Sequence, residues 1–388
     1  MHNVLINKEK YEILKRRLKI SGDFMQKKDG LYRRNGKLVY IKQPEYEELV
    51  FTSKLWSSEE TMKDIGGVYN FTENKWDSFY KKMVYPTDRK NFYCLIYNLE
   101  DEPVGEVSFH GYDPITKIAR SNVKIFYKYR KSGYAEEAMK LMLEYYFFDF
   151  EGEIMMDNVK NEEGKIFAKK VGFKEVRQYK EEITYKLTKN DFLNLRDNKV
   201  KTVSIIMYNE MDITNYTLIC SILNNANSLA NKKIFNIQSI YTLNNITCSN
   251  NLKFELPTIQ DELLNPNIII LPDTKNIEYI FKNNKIIGYI LKHYNDCDYI
   301  CTVGEAIKFL IKTNSLNGML VPDIDDIHNL IKSNNLNTTK VINKNFVDNG
   351  KVMISSNLIG VIEMSLSIIL KTSGKELMDR TKEKLGFI

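Results

Sequence analysis

The 388-residue chain has only five cysteines, Cys94, Cys220, Cys248, Cys297 and Cys301, and no two of them stand in a CxxC spacing. That scarcity excludes a disulfide framework and gives no support for a structural zinc site, so free thiols are expected. His293, Cys297 and Cys301 recur every four residues, but Tyr299 to Val303 reads as a strand, which separates them, and no metal site is expected. No stretch is long and apolar enough to span a bilayer. Met1 to Arg17 mixes charged and apolar residues without the continuous apolar core of a secretory leader. A cytoplasmic location without membrane contact is expected. Strong charge of one sign is also missing. The 56 basic residues against 50 acidic ones leave a net charge of +6, too small an excess to point to a nucleic-acid partner. Lys15-Arg16-Arg17 and Arg33-Arg34 read as solvated surface.

What is present fits a soluble globular protein: 43% hydrophobic and 27% charged residues, in a chain longer than one core organises. Two domains with a short extension are expected. Residues 7 to 19 can form an amphipathic helix with Tyr11, Leu14 and Leu18 on one side, and Asn35-Gly36 is a hairpin signal. Trp56-Ser57-Ser58-Glu59-Glu60 offers a serine cap before a helix. A boundary is expected in the polar stretch Thr188 to Lys199, between the strand Ile183 to Leu187 and a fresh apolar strand, Val200 to Tyr208. Beyond it, strands (Ile268 to Leu271, Tyr299 to Val303, Val352 to Ser355) alternate with helical runs (Thr214 to Leu229, Glu305 to Thr313, Leu358 to Leu370). That alternation implies a parallel, doubly wound sheet.

The most informative motif is Arg130-Lys131-Ser132-Gly133-Tyr134-Ala135, between a strand-like run (Val123 to Tyr129) and a helix-like run (Glu136 to Phe148). Such a turn exposes backbone N–H groups at the positive end of a helix dipole, and Gly133 lets an anion approach closely. A further strand, Glu153 to Val159, then Asn161 and a helix ending at Gly172-Phe173, complete a pattern that resembles the GNAT-type N-acetyltransferases. Phe92 to Tyr97 and Pro103 to His110 match that family's hairpin. The resemblance implies an acetyl-CoA-dependent enzyme acting on a small-molecule or peptide amine. It also implies that Arg130, Lys131, Ser132, Gly133, Tyr134 and Ala135 hold the cofactor diphosphate, that Val123 and Ile125 bind the pantetheine arm through their backbone, and that Asn161 is a further contact. Family members commonly carry a tyrosine general acid seven residues after that asparagine, where this chain has Ala168. Glu106 and His110 are the candidate bases, each weighed against an ordinary strand-surface role.

Several segments of the second half resemble the PfpI-like branch of the class I glutamine-amidotransferase superfamily, most clearly Phe346 to Ser356, with Gly374 and the terminal Leu385-Gly386-Phe387. Catalytic members place a cysteine on a strained strand-to-helix elbow. Counting back without gaps from Ser315-Leu316-Asn317-Gly318 puts Gly304 at that position and Cys301 inside the preceding strand. Asp323 stands where many relatives have histidine, and Pro272-Asp273-Thr274 stands where they have Pro-Gly-Gly, while Asp212 matches the acidic position of some members. A shifted alignment would leave Cys301 as the nucleophile. Taken together, the two resemblances imply a GNAT-like mixed-sheet domain (residues 37–190, after a helix-and-hairpin extension over 1–36) and then a flavodoxin-like parallel-sheet domain (200–388). The second is expected to be non-catalytic and to serve ligand binding or homodimerisation. A non-enzymatic acyl-CoA sensor and a Cys301-dependent hydrolase or hydratase are the alternative readings.

Overall fold

The computed structural model describes residues 32–386 except 64, 87, 196–198, 258–262, 314 and 337. The helix expected over 7–19 and Phe387 lie outside them. The described residues form two compact units, 32–195 and 199–386. None of their helices is long and apolar enough to cross a membrane.

The first unit is built on one eight-stranded sheet. Its strands are β1 (Arg33–Asn35), β2 (Val39–Lys42), β3 (Phe92–Asn98), β4 (Pro103–Asp113), β5 (Ile118–Ile125), β6 (Ile154–Val159), β7 (Lys174–Tyr179) and β8 (Glu182–Thr188), in the order β1-β2-β3-β4-β5-β6-β8-β7. Every pairing is antiparallel except β5 with β6. Helices α1 (Leu49–Ser57) and α2 (Glu59–Met62) follow β2, and the Ser58 side chain accepts the Thr61 N–H as the expected cap. Helix α3 (Tyr134–Glu144) crosses over from β5 to β6, and α4 (Glu162–Val171) leads from β6 to β7. Alternation along the strands sends Val107, Ala119, Met155 and Leu187 to one face, where they bury Ala138, Met139, Met142 and Leu143 of α3. A hairpin forms at Gly36 as expected, and the Glu137 carboxylate of α3 accepts the amides of Lys37 (2.9 Å), Leu38 (2.6 Å) and Val39 (2.8 Å) at its turn. The boundary expected at residue 36 therefore falls inside that turn, and β1 is an edge strand of the same sheet.

The second unit contains a six-stranded sheet. Its strands are β9 (Lys201–Ile206), β10 (Phe235–Ile240), β13 (Ile268–Leu271), β14 (Tyr299–Val303), β17 (Phe346–Asp348) and β18 (Val352–Ser355), ordered β10-β9-β13-β14-β18-β17. All neighbours are parallel but β17 and β18. Two small ribbons, β11 (Asn245–Thr247) with β12 (Lys253–Glu255) and β15 (Leu320–Pro322) with β16 (Lys340–Ile342), lie outside it. Ile269 and Leu271 face one core with the helix α6 (Asn284–His293). Ile268 and Ile270 face another with α5 (Ile213–Leu229) and α7 (Leu358–Ser373). A sheet apolar on both faces is the mark of doubly wound packing. The chain is thus an α/β protein with a mixed-sheet unit followed by a flavodoxin-like parallel-sheet unit, the fold class expected.

Candidate active site

The turn before α3 has the geometry of an anion cradle. Lys131 has φ of 65° and Gly133 φ of 80°, and the helix begins at the next residue. The amides of Lys131 to Ala135 donate to no acceptor among the described residues, and the first bond of the helix runs from Glu137 N to Gly133 O at 3.2 Å. Gly133 is constrained twice, since a β-carbon there would stand in a left-handed backbone and 3.3 Å from the Leu38 methyl. The Arg130 side chain turns away and donates to the Thr61 carbonyl (2.7 Å), so it shapes the turn and ties it to α2. Tyr134 and Ala135 are half-buried against the core.

From this turn a gap leads into the sheet. β5 and β6 pair only from Ile118 to Arg120 and then part. Phe126 N–H donates to Val104 O at 2.8 Å, and bonded and non-bonded pairs alternate along an antiparallel ladder. Lys124, Asn122 and Arg120 therefore bond to β4, and the backbone groups of Val123 and Ile125 face the gap. On the other face of the sheet lies a cleft of about 490 Å³, lined by Trp56, Phe79, Met83 and Tyr93 and by polar residues of β4 and β5. Ser121 and Asp157 also line it although they follow the helix-facing register, so the cleft reaches into the gap.

Glu106, a candidate base weighed against a strand-surface role, is fully buried. Four donors from three elements hold its carboxylate: Lys124 Nζ (2.5 Å) and Asn122 Nδ2 (3.3 Å) of β5, Tyr93 OH (2.7 Å) of β3 and Trp56 Nε1 (2.9 Å) of α1. Burial, and then the Glu106 charge, push the Tyr93 phenol far above its usual pKa, so it stays protonated as a donor. His110 lies at the rim. Burial, then Arg120, Lys124 and Lys82, lower its pKa, so at pH 7 its imidazole is neutral. Asp157 is the group that reading the sequence missed. Burial pushes its carboxyl up to about 6, against the pull of the Asn158 amide, Arg120 and the Ser121 hydroxyl. The signal was there in principle: a carboxylate in inward register between Met155 and Val159. Asn161 caps α4 by accepting the Gly164 N–H at 2.7 Å, and Ala168 is buried in the core.

In the second unit the elbow falls at Gly304, φ 50°, directly after β14. Cys301 lies within that strand, fully buried, and burial drives its thiol pKa well above the usual value. This speaks against the Cys301-dependent hydrolase or hydratase, which requires an accessible, readily ionised sulfur. A β-carbon at Gly304 would overlap the Asp273 carboxylate, whose Oδ1 accepts the amides of Thr274 (2.7 Å) and Glu305 (2.8 Å). An acid thus occupies the space into which an elbow nucleophile would project, and takes a donor at the start of the elbow helix. Asp212 caps α5 through the Thr214 amide (2.8 Å) and accepts from Asn215 (3.0 Å), and Asp323 is exposed.

No protein-family model matches the sequence, and no curated protein matches it. Among solved structures, a GNAT-family acetyltransferase from Bacillus anthracis is 22% identical over 40% of this chain and 98% of its own, with a TM-score of 0.35. Spermidine N-acetyltransferase from Vibrio cholerae, solved with CoA and spermine, is 15% identical over 40% of this chain and 99% of its own, TM-score 0.36. DJ-1beta of Drosophila melanogaster is 15% identical over 49% of this chain and 100% of its own, TM-score 0.40.

Proposed function

We propose that the first unit is an acetyl-CoA-dependent N-acetyltransferase and that the second is a non-catalytic relative of the PfpI-like proteins, serving ligand binding or dimerisation. One observation carries the first reading: a turn whose amides meet no acceptor among the described residues, a sheet gap faced by backbone groups and a polar cleft that reaches into that gap all belong to one unit. The amides of Lys131 to Ala135 would hold the diphosphate, and the backbone of Val123 and Ile125 the pantetheine amides. Acetyl-CoA would supply a thioester carbonyl open to attack by an amine. Asp157, at the gap, would take the proton that the amine loses as its nitrogen bonds to the carbonyl carbon and the carbon–sulfur bond breaks, and that proton would pass to the departing CoA sulfur, which leaves as the thiol; neutral His110 stands as the second proton acceptor. Glu106, saturated by four donors, orients Tyr93, Trp56 and Lys124 rather than taking a proton itself.

The test is a calorimetric titration with acetyl-CoA of the natural protein and of Gly133→Glu, followed by CoA release with a panel of amines. Binding abolished by the variant, with amine-dependent CoA release by the natural protein, is expected. Binding without release for any amine would leave an acyl-CoA-binding protein, and absence of binding would refute the reading.

A further inference from the structure

The charges of the cleft are distributed in a way that selects among amines. Glu106 is buried and already accepts from four donors, so it offers nothing to a second ammonium group. Asp157 lies at the deep end, in the gap where β5 and β6 part. Arg120 is exposed on the cleft face, directly across the β4–β5 ladder from His110, and its guanidinium makes no ion pair among the described residues. Lys124 on the same face is already paired with Glu106 at 2.5 Å, so Arg120 is the cation the cleft offers to an acid, although its charge also acts on Asp157. One wall, formed by Trp56, Phe79 and Met83, is apolar.

We propose that the acceptor is an amine that also bears a carboxylate and an apolar group, as a hydrophobic α-amino acid does, and that Arg120 binds its carboxylate. The inference rests on the acetyl-transfer reading above. The amine enters toward Asp157 and the gap, the acid stays at the rim on a planar, two-pronged donor suited to it, and the apolar group lies along Trp56 and Phe79. A polyamine fits poorly, because its second cation would meet Arg120.

The experiment compares CoA release with phenylalanine, leucine and methionine against their decarboxylated counterparts and spermidine, using the full chain and Arg120→Met. Acid-bearing amines are expected to be preferred in kcat/KM by about tenfold or more, the worth of one charge-assisted contact. Arg120→Met should erase the preference, chiefly through KM. A preference for spermidine or the decarboxylated amines, a preference that survives in Arg120→Met, or no turnover of any pair would overturn the assignment. An acetyl-CoA titration in parallel separates the two levels: if the cofactor binds, only the acceptor class has failed, and if it does not, the acetyl-transfer reading fails too.

Discussion

Gly304→Ala perturbs the elbow of the second unit at the point where its geometry departs from that of a thiol enzyme. The backbone at φ 50° costs an alanine about 1–2 kcal/mol. Its β-carbon would also displace the Asp273 carboxylate, which accepts two amides at 2.7 and 2.8 Å. Losing those charge-assisted bonds adds about 2–3 kcal/mol, for a total of roughly 3–5 kcal/mol. Asp273→Ala alone should cost about 2–3 kcal/mol, since it deletes the same two bonds without straining the backbone. In the double variant the bonds are lost only once, so the single costs should fall short of additivity by about 2 kcal/mol. Urea unfolding followed by far-UV circular dichroism measures all three. Tryptophan fluorescence reports the other unit separately, because Trp56 and Trp76 are the chain's two tryptophans. Additivity to within about 0.5 kcal/mol would show that the two positions do not compete for space and would refute the argument.

Three further outcomes follow from the same geometry. Because the Asp157 carboxyl is raised to about 6 and its ionised form is the proposed proton acceptor, kcat/KM should fall as pH drops through about 6. Asp157→Asn should abolish that acid limb while His110→Gln leaves it, and a limb unchanged in Asp157→Asn would remove this residue from the chemistry. Glu106→Gln leaves the Lys124 ammonium, 14% exposed, without its counter-charge and should cost about 3–5 kcal/mol in fluorescence-monitored unfolding, most of it recovered in Glu106→Gln/Lys124→Met. In thiol labelling at neutral pH, Cys301 and Cys94, both buried and raised in pKa, should react far more slowly than half-buried Cys220, and rapid modification of Cys301 would contradict its placement inside β14.

Much of the architecture was legible because its signals are local. The cradle sits between an apolar strand and a helix, β13, β14 and β18 are short apolar runs bounded by turns, and an ungapped count located the elbow at Gly304. What escaped depends on contacts between distant segments. Glu106 is buried because donors from residues 56, 93, 122 and 124 converge on it, and no window of sequence contains that set. Asp157 stands in an inward register that reads as a fault until the parting of β5 from β6 is known. β7 carries only a weak apolar signal, Val176 and Tyr179 among four polar residues and all six exposed, and its place is set by pairing with β8.

The first turn of α3 carries two acids, Glu136 and Glu137, at the place where an anion would be drawn to the helix. Neither faces that place unopposed. Glu136 is taken up by Lys140 at 2.9 Å and Lys170 at 2.6 Å, and Glu137 by the three amides of the β1–β2 turn. The hairpin therefore acts as an electrostatic insulator for the cradle. Were it to peel away, a carboxylate would be released beside the helix's positive end, where it would repel any anion that the turn is proposed to hold.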